Sequence, residues 1–282
     1  MTSARPAPIN HYENFPVASW LCPSHLRFAI SAVYHFARTG DDLADEGAQN
    51  SVQRIEDLSE YRSDLNDCIS SAGEHTDGSK IDAKNYRISK RWPHIFEPLK
   101  QVLNEFNIPP QLFHFLLDAF EQDVLYTEAR LGYKNREELL QYCQKSAAPI
   151  GRIMLHLFQH NLPEDLAKSD AICCALQLIN FWQDISIDTE RNRFYLPQDS
   201  DLDREIIYAK ELMLSGSSLP LSIKGRAGWE LRAVVQGGLR VIDKLQHGDP
   251  LKVRPRLTRL DYVLIGWRCL FKSSFQHSPK HQ

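Results

Sequence analysis

Residues 177–188 read Gln-Leu-Ile-Asn-Phe-Trp-Gln-Asp-Ile-Ser-Ile-Asp, and this stretch decides the fold class and the chemistry that we expect. Asp184 and Asp188 stand four residues apart in a largely apolar context. On a helix this spacing places both carboxylates on one face, with their Cβ atoms about 5–6 Å apart. Because like charges so placed repel each other, the spacing predicts a helix that binds a cation.

A second pair of aspartates with the same spacing lies in residues 34–45, which read Tyr-His-Phe-Ala-Arg-Thr-Gly-Asp-Asp-Leu-Ala-Asp. Asp41 and Asp45 extend a helical stripe that begins with Tyr34 and Arg38, at positions i, i+4, i+7 and i+11. Asp42 is turned about 100° away from this stripe, so we expect it to pair with Arg38.

Oxygen ligands in two such stripes predict a Mg²⁺ site. The stripe in 177–188 carries amide and carboxylate oxygens only. Mg²⁺ takes one or two carboxylates and completes its shell with water and substrate phosphates. The alternative, two solvated acidic faces, is disfavoured because apolar residues surround the second stripe. We therefore expect a diphosphate substrate, held through Mg²⁺ by Asp41, Asp45, Asn180, Asp184 and Asp188.

Apolar residues recur with helical periodicity through nearly all of the 282 residues, and alternating strand patterns are missing. The sequence therefore predicts an all-α protein with one domain, 1–282, of which residues 1–10 are flexible. We expect Ser24 to cap the first helix and Pro149 to kink the helix that contains it. Later helices are expected at about 51–69, 93–106, 110–128, 136–159, 163–190, 200–214, 223–246 and 258–271.

Composition disfavours several partners and locations. The formal net charge of −3 provides no basic field, so we expect no nucleic acid partner. The six cysteines lack CxxC spacing, which indicates thiols in a reducing compartment. Because residues 1–10 show no signal-peptide pattern and no apolar run reaches about 18–20 residues, we expect a cytoplasmic protein. The short apolar run 262–267 is expected in the core or against the inner face of a membrane.

Several motifs resemble the squalene/phytoene synthase family. They are the Asp-Asp-Leu-Ala-Asp of 41–45 with the preceding Tyr34 and Arg38, the stripe in 177–188, and Arg-Asn-Arg-Phe-Tyr-Leu-Pro at 191–197. Residues 142–151 are similar to the family's Tyr-to-Gly helix. The resemblance extends from about His11 to Trp267. One departure is Gln183, which stands where many members have arginine, so the phosphate clamp or the substrate differs.

The resemblance implies a class I isoprenoid synthase-like helical bundle with a central cavity. Residues 11–20, 146–149 and 180–184 are most similar to the bacterial members that form hydroxysqualene for hopanoids. The implied reaction is Mg²⁺-dependent ionisation of presqualene diphosphate, followed by water capture. The implied catalytic residues are Tyr142, near the cation, with Asp41 and Asp184. Phe36 and Phe181 are further aromatic candidates, and the implied substrate-binding residues are Tyr34, Arg38, Gln177, Asn180, Gln183, Arg191, Arg193 and Tyr195.

Other functions remain compatible with the sequence. A squalene or phytoene synthase would condense two prenyl diphosphates such as farnesyl diphosphate, and the acidic motif also fits chain-elongating prenyltransferases and terpene cyclases. The GxGxxG dinucleotide fingerprint is missing, which favours water over hydride as the nucleophile. The non-enzymatic alternative is a helical lipid-binding or scaffold subunit, such as a lipid carrier or a partner subunit of a sister synthase. Four clustered carboxylates disfavour it.

Overall fold

The computed structural model describes residues 23–73 and 89–271. Regular structure in these ranges is helical, apart from an isolated bridge between Gly132 and Phe194. The helices in chain order are α1 (Arg27–Asp45), α2 (Ser51–Gly73), α3 (Pro93–Phe106), α4 (Gln111–Ala129), α5 (Arg136–Ser146), α6 (Ala148–Leu157), α7 (Pro163–Glu190), α8 (Leu202–Gly216), α9 (Leu219–Ser222), α10 (Gly225–His247) and α11 (Arg259–Phe271). The all-α prediction is confirmed.

Two local predictions are wrong. The segment 136–159 forms two helices that are separated at Ala147, because Pro149 has no N–H with which to continue the hydrogen bonds of α5. Pro149 then lies in the first turn of α6, where its missing N–H is not needed. Ser24 does not cap α1, whose N-cap is Leu26 without a side-chain hydrogen bond. Residues 24–26 form a turn instead, in which the Leu26 N–H donates to the carbonyl of Pro23.

The chain divides into two compact units, of which the first comprises Met1–Ala129 and Arg152–His160. Among its described residues, α1 to α4 pack around aromatic side chains. Phe36 stacks on Tyr61 and meets Phe113 edge-on, each with ring centroids 5.2 Å apart. The Tyr61 hydroxyl donates to the Phe36 carbonyl at 3.1 Å. Phe36, an aromatic candidate in the sequence analysis, is fully buried in this core and packs against its neighbours there.

The second unit comprises Arg130–Gly151 and Asn161–Gln282. In its described part, α7 packs against α5, α8, α9 and α10. The tightest approach is at Gly216 of α8, where a Cβ would lie 2.5 Å from the Lys168 carbonyl oxygen and 2.7 Å from the Ile172 side chain. Side chains larger than hydrogen are excluded there, so α8 lies directly on the backbone of α7.

Two buried carboxylates tie helices of the second unit together. Glu205 of α8 is fully buried and accepts two-point hydrogen bonds from Arg136 of α5, at 2.8 and 2.9 Å. Asp261 of α11 is 3% exposed and lies 2.6 Å from Arg240 and 2.7 Å from Lys244 of α10. Within residues 23–73 and 89–271, no helix is both long enough and apolar enough to cross a membrane.

Candidate active site

In the first unit, the predicted stripe lies on the C-terminal half of α1. Arg38 is surrounded by three carboxylates: Asp41 at 3.3 Å, Asp42 at 2.7 Å and Glu46 at 2.7 Å. The expected pairing of Asp42 with Arg38 is confirmed. Glu46 was not predicted, because it follows the helix and belongs to no motif. Tyr34 is half-buried one turn before Arg38, so its phenol lies on the same stretch of α1.

Both aspartate pairs lie near the C-termini of their helices. The last turn of α1 contains Asp42 and Asp45, and the last turn of α7 contains Asp188 and Glu190, without a basic residue in either turn. The helix dipole already gives a C-terminus partial negative charge, so acidic side chains there are electrostatically unfavourable. Such placement favours a role in binding cations over a role in helix stability.

In the second unit, α7 presents the other predicted stripe. Gln177, Asn180, Asp184 and Asp188 are all half-buried, with the Asp184 side chain 25% exposed. Asp184 is held by Arg254, whose Nη2 donates to Oδ2 at 2.8 Å and whose Nε contacts Oδ1. A guanidinium that reaches both carboxylate oxygens forms a charge-assisted, forked pair.

Arg254 belongs to the connector between α10 and α11, residues 248–258, which the sequence motifs did not identify. The neighbouring Gln183 of α7 donates its Nε2–H to the carbonyl oxygen of Pro255 at 2.7 Å. Gln183 was predicted as a substrate-binding residue, and the structure gives it a contact with this connector. The only feature of the sequence that could have indicated this contact is the basic run Lys-Val-Arg-Pro-Arg at 252–256, about 70 residues from Asp184.

The motif that follows α7 reverses the chain. The N–H groups of Arg191 and Arg193 donate to the Asp188 carbonyl at 3.0 and 2.8 Å, and Asn192 adopts a left-handed conformation with φ 60°. Arg191 is exposed and Arg193 is half-buried. Beyond this turn, Gly132 forms a bridge with Phe194. The turn therefore sends residues 194–195 back alongside the helix.

Tyr195 reaches an aromatic cluster through this reversal. Its ring stacks on Phe181 of α7, with centroids 3.7 Å apart and an interplanar angle of 8°. Tyr142 of α5 lies 6.1 Å from both rings, and Tyr133 lies 5.7 Å from Tyr142. Tyr142 and Tyr133 are buried, at 3% and 2% exposure. Ring faces carry partial negative charge and can stabilise a cation. Tyr133 was not predicted, because no motif surrounds it.

The predicted site residues thus fall into two groups, each brought together within its own unit. The first unit carries Tyr34, Arg38, Asp41 and Asp45. The second unit carries Tyr142, Gln177, Asn180, Gln183, Asp184, Asp188, Arg191, Arg193 and Tyr195. In the second group, one helix supplies both an acidic stripe and a member of the aromatic cluster.

The donor chemistry fits Mg²⁺. In the described ranges, no group of three or more His, Cys, Asp or Glu side chains could hold a metal ion. Each helix offers a pair of aspartates instead, and α7 adds the amide of Asn180. Mg²⁺ suits such a set, because it uses one or two carboxylates and takes further ligands from water and substrate phosphates. Zn²⁺ sites, in contrast, are usually completed by His and Cys ligands.

An all-α fold with paired aspartates on two helices and an aromatic cluster beside one of them is typical of synthases that act on prenyl diphosphates. The family model of squalene/phytoene synthase matches residues 9–205. The chain therefore belongs to the squalene/phytoene synthase family, and it is an enzyme of that class.

Relatives support a hydroxysqualene synthase-like enzyme. The chain is 31% identical to hydroxysqualene synthase of Rhodopseudomonas palustris, over 95% of this chain and 92% of the relative. It is 28% identical to hydroxysqualene synthase of Sinorhizobium fredii, over 90% and 86% of the two chains. The crystal structure of squalene synthase HpnC from Alicyclobacillus acidocaldarius matches with a TM-score of 0.69 and 28% identity, over 84% of this chain and 89% of that one. The predicted isoprenoid synthase fold is thereby confirmed.

Proposed function

We propose that this protein converts presqualene diphosphate to hydroxysqualene and diphosphate. The carbon–oxygen bond to the diphosphate breaks, and the diphosphate leaves with the electron pair. The resulting cyclopropylcarbinyl cation rearranges, and a carbon–carbon bond of its three-membered ring breaks. A water oxygen bonds to the rearranged carbocation and loses one proton, so atoms and charge balance. Relatives that carry the name hydroxysqualene synthase over most of both chains support this reaction.

The observation that carries the proposal is the composition of α7. Phe181 and Asp184 stand three residues apart, so they are neighbours on the helix surface. Phe181 stacks on Tyr195 within the aromatic cluster, whereas Asp184 belongs to the acidic stripe. One helix therefore offers groups for a departing diphosphate and, one turn earlier, groups for the cation that its departure leaves.

In this reaction, different residues of the chain would bind the metal, stabilise the cation and contact the substrate. Mg²⁺, when bound, supplies the positive charge that stabilises a departing diphosphate. We assign its binding to Asp41, Asp45, Asn180, Asp184 and Asp188. Tyr142, Phe181 and Tyr195 would stabilise the cation and keep water away from it until capture. The proposed contacts with substrate are made by Tyr34, Arg38, Gln177, Arg191 and Arg193.

We further propose that the whole chain acts as one catalytic domain. A sister synthase that couples two farnesyl diphosphates would supply the substrate. The described cysteines, Cys68, Cys143, Cys173, Cys174 and Cys269, are free thiols, which supports a reducing, cytoplasmic location.

A lipid surface is the proposed site of substrate uptake. Leu260, Val263, Trp267 and Leu270 lie on one face of α11 and are 81%, 70%, 55% and 64% exposed. Residues 252–259, which comprise the end of the connector and the first residue of α11, contain four basic residues and no acidic residue. An exposed apolar face beside positive charge suits the headgroups and acyl chains of an anionic membrane. A long prenyl chain would partition into the same membrane.

The reaction is tested with purified protein, presqualene diphosphate and Mg²⁺ in ¹⁸O-labelled water. We expect labelled hydroxysqualene by mass spectrometry, without nicotinamide, and we expect no turnover after exhaustive chelation. Squalene formed with reduced nicotinamide would reassign the chain to squalene synthase. Coupling of two farnesyl diphosphates would add the first half-reaction, and the absence of any diphosphate release would favour a scaffold.

A further inference from the structure

The connector 248–258 contacts α7 at two adjacent positions. The Gln183 side-chain amide donates a hydrogen bond to the carbonyl oxygen of Pro255 at 2.7 Å, and the Asp184 carboxylate accepts one from the Arg254 guanidinium at 2.8 Å. The second oxygen of Asp184 contacts the Arg254 Nε. Two adjacent residues of α7 therefore hydrogen-bond to two adjacent residues of the connector. Together these contacts fix the position and the direction of the Arg254 side chain.

The far end of the connector is braced as well. The backbone N–H and the hydroxyl of Thr258 donate to Asp261 Oδ2 at 2.6 and 2.8 Å. Asp261 is in turn held by Arg240 and Lys244 of α10. Arg254 is thus presented from a segment that is attached at both α7 and α10, which limits the conformational entropy that its side chain would lose on binding a ligand.

The pair of Arg254 and Asp184 contributes little to folding. The two side chains are 39% and 25% exposed, and pairs this accessible are screened by water and salt. Their significance is electrostatic. Asp184 lies one turn from Asp188, near the negative end of the α7 dipole. In the protein without ligands, Arg254 supplies a positive charge that this concentration of negative charge requires.

Metal binding would change the partners of Arg254. A metal that binds Asp184 would take up a lone pair of the carboxylate and place a positive charge beside the guanidinium, so the forked pair with Arg254 would weaken. The N–H donors of Arg254 would then be available to an anion, and a guanidinium matches phosphate oxygens in a forked geometry. The anion in the proposed reaction is the diphosphate.

Residue 183 provides an anchor for the connector. Gln183 is neutral and cannot provide a guanidinium, but its amide N–H donates to the carbonyl oxygen of Pro255, the residue that follows Arg254. The positive charge beside Asp184 therefore comes from the connector, and Gln183 helps to hold the connector in place.

We propose that Arg254 binds the substrate diphosphate. Before metal and diphosphate bind, Arg254 forms its ion pair with Asp184. Gln183 positions Arg254 through its hydrogen bond to Pro255. The proposal rests on the proposed function, because it assumes a diphosphate ligand. Arg254 is the contacting residue, and Gln183 is a positioning residue that acts only through it.

Binding of inorganic pyrophosphate in excess Mg²⁺, measured by isothermal titration calorimetry, tests the role of Arg254. We expect Arg254→Gln to bind pyrophosphate about 10- to 100-fold more weakly than wild type, the loss typical of a hydrogen bond between charged groups. The matched control, Arg256→Gln, removes the same charge two residues later and should change affinity by less than about threefold, because a more distant exposed charge is screened. Circular dichroism verifies that each variant is folded.

A double-mutant cycle tests the role of Gln183. Gln183→Leu should weaken pyrophosphate binding when Arg254 is present and should have no further effect in the Arg254→Gln background. The combination of Gln183→Arg with Arg254→Gln should recover most of the lost affinity, because it returns a guanidinium to position 183. A purely structural role of Gln183 would produce neither the coupling nor the recovery.

The outcomes separate this proposal from the proposed function. If wild type binds no pyrophosphate in Mg²⁺, both the diphosphate chemistry and the role of Arg254 are overturned. If wild type binds it and Arg254→Gln binds equally well, the role of Arg254 is overturned and the proposed function stands. Equal losses from Gln183→Leu in both backgrounds would overturn the positioning role alone.

Discussion

Asp41 and Asp184 each contact an arginine, and in both cases the ion pair is partly exposed. The Asp41 side chain is 43% exposed beside Arg38, and the Asp184 side chain is 25% exposed beside Arg254. Such pairs contribute about 0–1 kcal/mol to the free energy of unfolding. The contribution to stability therefore gives little reason for these carboxylates to occupy these positions, whereas the proposed binding of a metal and a diphosphate would give one.

We expect Asp41→Asn and Asp184→Asn each to reduce diphosphate release at least about 100-fold, as is common when an electrostatic group of an active site is removed. The melting temperature should stay within a few degrees of wild type, because a neutral amide also relieves repulsion within the cluster. Coupled diphosphate assays and thermal melts measure the two quantities.

Glu190→Gln is the matched control, because Glu190 is exposed at the end of α7 and lies off the stripe. Its activity should be close to that of wild type. Near-normal turnover in Asp184→Asn would remove this aspartate from the mechanism. Inactivity that merely accompanies unfolding would assign it a structural role.

The sequence predicted correctly which site residues share a helical face when they lie within a few residues of each other. Asp41 and Asp45, or Asp184 and Asp188, share a face because four residues make about one helical turn, and this needs no tertiary information. Arg254 reaches Asp184 across 70 residues, and Tyr133 joins the aromatic cluster from a loop. Neither contact leaves a periodic pattern, so neither could be predicted from spacing.

Among the helices, the accuracy of the predicted bounds depended on where proline occurs. The starts of α3 and α7, at Pro93 and Pro163, were predicted correctly, since proline is favoured in the first turn. The break between α5 and α6 was predicted only as a kink, because local sequence does not say whether a helix resumes on the same axis after a proline. The attachment of α11 to α10 was not predicted, since it depends on one buried carboxylate.

That carboxylate gives the stability of the fold a specific pH dependence. Burial by itself would raise the pKa of Asp261, but the Lys244 ammonium, the Thr258 N–H and the Arg240 guanidinium lower it more. Its pKa in the folded protein therefore lies well below the ordinary Asp value of about 3.9. Below about pH 4 the unfolded chain binds a proton that the folded protein resists, so this contribution to stability falls as pH falls.

We expect Asp261→Asn to lower the free energy of unfolding by about 2–3 kcal/mol at pH 7, because it leaves Arg240 and Lys244 without their buried partner. The difference from wild type should shrink as pH decreases below about 4. Urea unfolding at several pH values measures it. Asp249→Asn, an exposed change at the other end of the connector, should leave the free energy of unfolding close to that of wild type. A difference that is the same at every pH would contradict the assignment.

At the scale of the whole molecule, polarity is unevenly distributed. The formal net charge is −3, yet residues 252–259, at the end of the connector and the start of α11, contain four basic residues and no acidic residue. The exposed apolar side chains of α11 lie next to them. The sequence analysis left the apolar run 262–267 between two roles, core or membrane. The structure divides the run, since Ile265 is buried whereas Val263 and Trp267 are exposed.

We expect the protein to bind phosphatidylglycerol vesicles and to bind phosphatidylcholine vesicles much more weakly, because anionic headgroups attract the basic connector. Trp267→Ser should weaken binding about tenfold or more, since inserting a large apolar side chain contributes about 1.5–3 kcal/mol. The same substitution at Trp229, which is 42% exposed on α10, is the control and should leave binding near wild type.

Vesicle sedimentation at low and high salt measures the affinities, and high salt should reduce them because it screens the basic residues. Equal binding to both lipids, or equal losses from the two tryptophan variants, would show that the α11 face does not form the contact.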